Sequence, residues 1–173
     1  MTSTDRASVR HSARTGHATP SPHQLLRALN WGPPQVRAPA GRWTINILTW
    51  AGAVLVLLSG VIHLRLWADG YQGISVIGPL FLAQGIVGIL LAVALGVFRR
   101  LGLILAGAVY CVATAAGLLL SVYVTLFGFR ESLAVPYAVS SLVEEFVGGG
   151  VLLIAAAAVL AARPWRQRDS KRA

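Results

Sequence analysis

The chain has 173 residues, of which 55% are hydrophobic and only 12% charged. An average soluble domain carries about 25% charged residues, so this composition, with a mean hydropathy of +0.66, excludes an ordinary water-soluble domain. The formal charge of +9 would suit nucleic acid, but no base-stacking platform or base-reading motif accompanies it, and no nucleic acid partner is expected.

Residues 1–41 are polar, with scattered prolines and three histidines, His11, His17 and His23, spaced by six. Low hydrophobicity and these prolines predict a disordered tail, with room for a surface turn of helix at Gln24–Leu29. No apolar run follows the basic start, so the segment does not read as a signal peptide. The histidine spacing fits no helical metal pair. Such a tail is expected to contribute little to the stability of the rest of the chain.

Four apolar segments come next, at about residues 43–66, 78–98, 101–127 and 136–162. Each is long enough for the roughly 20 residues that a bilayer span needs. Trp43 and Trp50 open the first span and Trp67 and Tyr71 close it, as aromatic belts do at the two interfaces. The glycines of residues 69–73 predict a tight turn. Pro79 suits the first turn of the second span, where its missing N–H costs nothing. Gln84, Gly88, Ala92 and Gly96 recur every four residues and give that span a small-residue packing face. Arg99 and Arg100 form a turn so short that spans two and three must be an antiparallel hairpin. Tyr110, Thr114, Gly117 and Ser121 line one side of the third span. The tail 163–173 is basic.

The N-terminal tail together with Arg42 holds six arginines, the Arg99–Arg100 turn two, and the C-terminal tail five Lys/Arg, against Arg65 and Arg130 alone on the other side. Thirteen to two places both termini in the cytoplasm by the positive-inside rule. One lysine beside fourteen arginines, with abundant alanine and glycine, points to a high-GC bacterial genome and hence to a bacterial plasma membrane.

The chemistry concentrates at Glu144 and Glu145, inside the fourth apolar run. Ionisable groups within a span are expensive and must be paired, hydrated or protonated. Counting about 1.5 Å of rise per residue from Pro136 puts Glu144 ~12 Å deep. Near the same level fall Ser59, Gln84, and Thr114 or Ser121, with His63 one turn above Ser59. Adjacent helical residues point ~100° apart, so only one glutamate enters the bundle squarely. Ser140, Glu144 and Gly148 form one i, i+4, i+8 set, and Ser141, Glu145 and Gly149 another; Glu144 is slightly preferred. In one reading the desolvated carboxylate binds and releases a proton or cation during transport. In the other it hydrogen-bonds Gln84 and the hydroxyls and fixes the packing, each such bond contributing about 0.6–2 kcal/mol. Gly148, Gly149 and Gly150 serve either close helix crossing or a hinge. At the outer face, Arg65, Asp69, Arg130 and Glu131 are candidate contacts.

Other chemistries fit less well; a site using His63 with Asp69, Glu131 or Glu144 is a minority reading, and a membrane-embedded enzyme is the third hypothesis. Cys111 is the only cysteine, so neither an internal disulfide nor a Cys-x-x-Cys relay exists. No second histidine occurs in a span, which removes a bis-histidine haem within the chain. A catalytic Ser/His/Asp set, a P-loop and a dinucleotide fingerprint are all missing, and no cofactor or metal is expected.

The run from His63 to Tyr71 (with Arg65, Trp67, Asp69 and Gly70), then Ile77 to Leu82, then Leu126 to Glu131, resembles a pattern in small bacterial four-span integral membrane proteins. The resemblance covers residues 43–162 and implies an architecture but no activity. Small multidrug exporters fit less well, because their essential glutamate lies in the first span and here that span has none. The fold expected is therefore all-α, an integral membrane four-helix bundle with a disordered N-terminal tail. Its expected partners are the lipid bilayer and either a second copy of the chain or a partner membrane subunit. The function expected is a small proton- or cation-coupled transporter or a membrane subunit. The alternative is an accessory membrane protein whose polar layer only sets packing.

Overall fold

The structure, a computed structural model, describes residues 21–162. The expectations for residues 1–20 and 163–173, including His11, His17 and the basic C-terminal tail, lie outside the described residues. Among the described residues five α-helices occur in order: α1 (Pro22–Leu29), α2 (Pro39–Ala68), α3 (Ile77–Phe98), α4 (Leu101–Tyr123) and α5 (Ala138–Ala161). Among the described residues the only extended pairing is the bridge between Leu126 and Phe129. The protein is all-α, and α2 to α5 are each long and apolar enough to cross a membrane.

Only 28–39% of the apolar window of each long helix is buried. Large side chains such as Leu90, Val109, Phe146 and Ile154 face outward. In water these faces would form apolar patches far beyond what a monomer carries; they are compatible with a multi-pass membrane protein. The core between the helices is thin and built of small and branched residues: Ala53, Val56, Ala92, Leu95, Ile104, Ala108, Leu152, Ala155 and Val159.

Helix α2 is central and packs closely on both α3 and α5, while α4 packs closely on α5. Its 30 residues span ~45 Å at 1.5 Å per residue, more than the ~30 Å of hydrocarbon, so its ends project beyond the apolar slab or the helix tilts. Helices α3 and α4 are joined by the Arg99–Arg100 turn, in which Arg99 is left-handed (φ 44°, ψ 47°). Despite that short turn they pack on each other far more loosely than the other close pairs. This looseness leaves room for a cavity between them.

The α2–α3 seam is a glycine contact. A Cβ on Gly60 would stand 3.0 Å from both the Gly85 carbonyl oxygen and the Ile89 nitrogen. Gly88 and Ala92 of the predicted face are buried, together with Gly85 one residue off that register. In α5, Gly148 lies against Leu55 and Cys111 and Gly149 against Cys111, whereas Gly150 meets nothing within 4 Å. The helix runs unbroken through all three, and close crossing explains the first two.

The sequence expectation needs correction at three places. Residues 21–41 carry the surface helix for which Gln24–Leu29 had room, as α1, but the segment packs on the bundle where a disordered tail was expected. Ser21 caps α1 through a capping box with Gln24, and the next turn lays Val36 into the core at 5% exposure. The Leu101 N–H donates to the Trp31 carbonyl at 2.9 Å and the Arg100 guanidinium to the Asn30 carbonyl at 3.0 Å. The segment thus packs against the Arg99–Arg100 end of the bundle. The third span, expected to reach residue 127, stops as a helix at Tyr123, because Thr125 (φ 73°), Phe127 (φ 52°) and Gly128 (φ 80°) turn left-handed. The fourth starts at Ala138 rather than Pro136, because Tyr137 (φ 70°) is left-handed too.

Candidate functional site

At the loop end of the bundle, opposite Arg99 and Arg100, α3 and α4 enclose a cavity of about 90 Å³. Its walls come from Phe81 and Gln84 of α3 and from Thr114, Gly117 and Ser121 of α4, with His63 of α2 and Ser141 and Glu145 of α5. Its roof is the connection after α4, through Leu126, Phe129 and Glu131, together with Tyr71 of the one-turn helix Tyr71–Gly73.

The roof is pinned in several ways. Leu126 and Phe129 exchange two backbone hydrogen bonds of 2.8 Å. The Glu131 N–H donates to the Ser121 carbonyl at 3.1 Å and folds the loop back onto α4. The Tyr71 hydroxyl donates to Glu131 Oε2 at 2.5 Å, while the Ser132 N–H donates to Glu131 Oε1 at 3.0 Å. Both oxygens of this carboxylate are thereby satisfied. The Tyr71 ring stacks on Phe81 at 4.7 Å and meets Phe129 edge-on at 5.8 Å. Burial, reinforced by the hydrogen bond and charge of Glu131, holds the Tyr71 phenol well above its ordinary range, so it remains a donor at any working pH.

The floor is different. Glu145 is 2% exposed, and among the described residues neither of its carboxylate oxygens has a hydrogen-bond partner. The hydroxyls expected to clasp it are engaged elsewhere. Thr114 Oγ1 donates to the Tyr110 carbonyl at 2.6 Å and Ser121 Oγ to the Leu118 carbonyl at 2.7 Å. Ser59 pairs with the Tyr110 hydroxyl at 3.5 Å, and that hydroxyl donates to the Gln84 carbonyl at 3.1 Å. Ser59 approaches Glu145 without reaching hydrogen-bond geometry. His63 is buried, with Nδ1 2.8 Å from the Ser59 carbonyl. A proton on Nδ1 serves that bond, which leaves Nε2 as the unengaged nitrogen.

The structure therefore brings His63, Gln84, Thr114, Ser121, Glu131 and Glu145 around one cavity. It does not bring Ser59, Glu144, Arg65, Asp69 or Arg130 to its walls. The slight preference for Glu144 over Glu145 is reversed. Glu145 lies one turn from the buried Ser141 and Gly149 on the interior stripe of α5, whereas Glu144 is half-buried, does not line the cavity and has one buried oxygen, Oε1, without a partner among the described residues. Arg65 and Asp69 form a 4.0 Å ion pair with both side chains well exposed, the kind that contributes little. Arg130 Nε donates to the Val122 carbonyl at 3.4 Å.

The chain matches no protein-family model, no curated protein and no solved structure. Its own geometry carries the functional reading. Sequence reasoning missed Tyr71, Phe81 and Phe129 as cavity residues. The visible signal was the aromatic and glycine content of Leu126–Glu131 beside a single acidic residue, which marks a structured cap rather than a bare turn.

Proposed function

We propose that the protein is a multi-pass plasma-membrane protein that takes up and releases a proton or a small cation at Glu145, as a small coupled transporter does. The supporting observation is a carboxylate at 2% exposure with both oxygens unpartnered at the floor of a cavity. Buried polar groups in folded proteins are nearly always satisfied, and an orphaned carboxylate costs several kcal/mol unless something arrives to pair with it. A packing clasp would direct the neighbouring hydroxyls at Glu145. Instead Thr114 and Ser121 bond to carbonyls of their own helix, which leaves the carboxylate available to a ligand.

The orientation supported by charge is both termini inside, with the cavity leaning outward. The thirteen-to-two count of basic residues carries it, and reporter fusions at the two termini should read the same, cytoplasmic, side. The function itself is tested in proteoliposomes under an imposed pH gradient. Wild type and Glu144→Gln should dissipate the gradient, Glu145→Gln should fold but not, and Glu145→Asp should retain part of the flux. No flux from wild type, or full flux from Glu145→Gln, contradicts the reading.

A further inference from the structure

The cavity's lining also specifies what kind of cation it takes. Two carboxylates stand at its ends, Glu145 at the floor and Glu131 at the roof, and among the described residues no lysine or arginine lines it. Anions are therefore disfavoured by charge alone. A divalent metal ion wants six or more oxygen ligands, or a set of histidine and carboxylate donors converging on one point. No group of three such side chains converges anywhere among the described residues. A bare proton would use Glu145 and leave the remaining space, about 90 Å³, without a purpose. Most of that space is bounded by apolar and aromatic side chains, with Phe81 at the centre, its ring 5.1 Å from His63 and 4.7 Å from Tyr71. Such a lining favours the burial of a short apolar body.

We propose that the cavity binds a small organic ammonium ion, a protonated amine with a short apolar body, its charged head on Glu145 and its body against the Phe81–Tyr71–Phe129 cluster. The proposal rests on the reading of Glu145 as the binding carboxylate. The ammonium group supplies up to three N–H donors. Two meet the orphaned oxygens of Glu145, and His63 Nε2, left unengaged by the Nδ1 bond to the Ser59 carbonyl, is an acceptor for a third. Glu131 is not the anchor, because Tyr71 and Ser132 already satisfy both its oxygens; it adds negative potential at the roof and holds the cap in place. Gly117 marks the available space, since a Cβ there meets nothing within 4 Å.

The test uses the full chain in lipid nanodiscs, with propylammonium chloride as the probe. Propan-1-ol, sodium propionate and sodium chloride serve as neutral, anionic and inorganic controls. Binding is read by calorimetry and by the shift of the thermal transition. Propylammonium should bind saturably and raise the transition, and none of the three controls should match it. Glu145→Gln should weaken binding at least ~tenfold, the least that losing a hydrogen bond to a charged group costs. Gly117→Leu, which fills the cavity from its wall, should fold and lose propylammonium binding while the Glu145 carboxyl still titrates in the infrared. If sodium chloride matches propylammonium while Glu145 still titrates, the amine class is wrong and the carboxylate reading survives. If Glu145→Gln binds propylammonium as tightly as wild type, both are wrong.

Discussion

Substituting Gly60 by alanine tests the frame that holds the cavity open on one side only. The added Cβ would stand 3.0 Å from the Gly85 carbonyl oxygen and the Ile89 nitrogen and near the Gly88 carbonyl carbon. Carbon atoms rest at about 3.5–4.0 Å from their neighbours, so α2 and α3 must part by about half an ångström. All three obstacles are backbone, and none can rotate away. Overpacking of this kind costs about 1–3 kcal/mol, against a helix-propensity gain of up to about 1 kcal/mol for alanine over glycine. The net expectation is a loss of up to about 2 kcal/mol once the full propensity gain is subtracted. Gly150 supplies the matched control, because its Cβ would meet nothing within 4 Å, so only the propensity gain remains. The same chemical change should therefore shift stability in opposite directions. Purified variants unfolded by heat in mild detergent, side by side with wild type, read this directly. A Gly60→Ala protein as stable as Gly150→Ala would refute the close α2–α3 crossing and the cavity geometry built on it.

Two further outcomes are expected from the packing at the two ends. A chain beginning at Ala38 should be less stable than one beginning at Ser21 by at least about 2 kcal/mol, the scale of burying one valine, because it loses Val36 from the core and the bond from the Leu101 N–H to the Trp31 carbonyl. Equal thermal transitions would mean the segment only rests on the bundle. At the roof, Tyr71→Phe removes a hydrogen bond to a charged group, a loss of about 1.5–3 kcal/mol when fully buried and less at this half-buried site, and should speed hydrogen exchange in residues 124–137. The phenol's pKa is raised by burial first and by Glu131 second. Its stabilisation is thus fully present below about pH 10 and is lost as pH rises through the folded-state value. That alkaline loss should vanish in Tyr71→Phe, and its persistence would assign it to another group.

Much of the architecture could be read from residue types. The apolar runs and the Arg99–Arg100 turn marked four antiparallel helices to within a few residues, because span length and hydrophobicity are local properties. The choice between Glu144 and Glu145 could not be read. Both sit in equivalent i, i+4, i+8 sets, and only the packing of α5 on α2 and α4 settles which stripe turns inward. The loop ends were obscured by non-glycine residues in left-handed conformations, Val76, Thr125, Phe127 and Tyr137, which residue preference argues against. The surface helix near residues 24–29 was legible, and the Ser21–Gln24 capping box marks its start; its packing on the bundle was not, because low hydrophobicity and proline content argue for a disordered tail. The engagement of Thr114 and Ser121 with their own helix backbone is a side-chain choice that spacing alone does not reveal.

The central claim is that Glu145, and not Glu144, is an available carboxylate that exchanges a proton with the cavity. Infrared difference spectra of the protein in lipid, recorded across a pH titration, resolve the protonated carboxyl stretch of such a group. Wild type should show a titrating carboxyl band that survives Glu144→Gln and disappears in Glu145→Gln. A band that is lost with Glu144→Gln and kept with Glu145→Gln, or no titrating band in wild type, would contradict it.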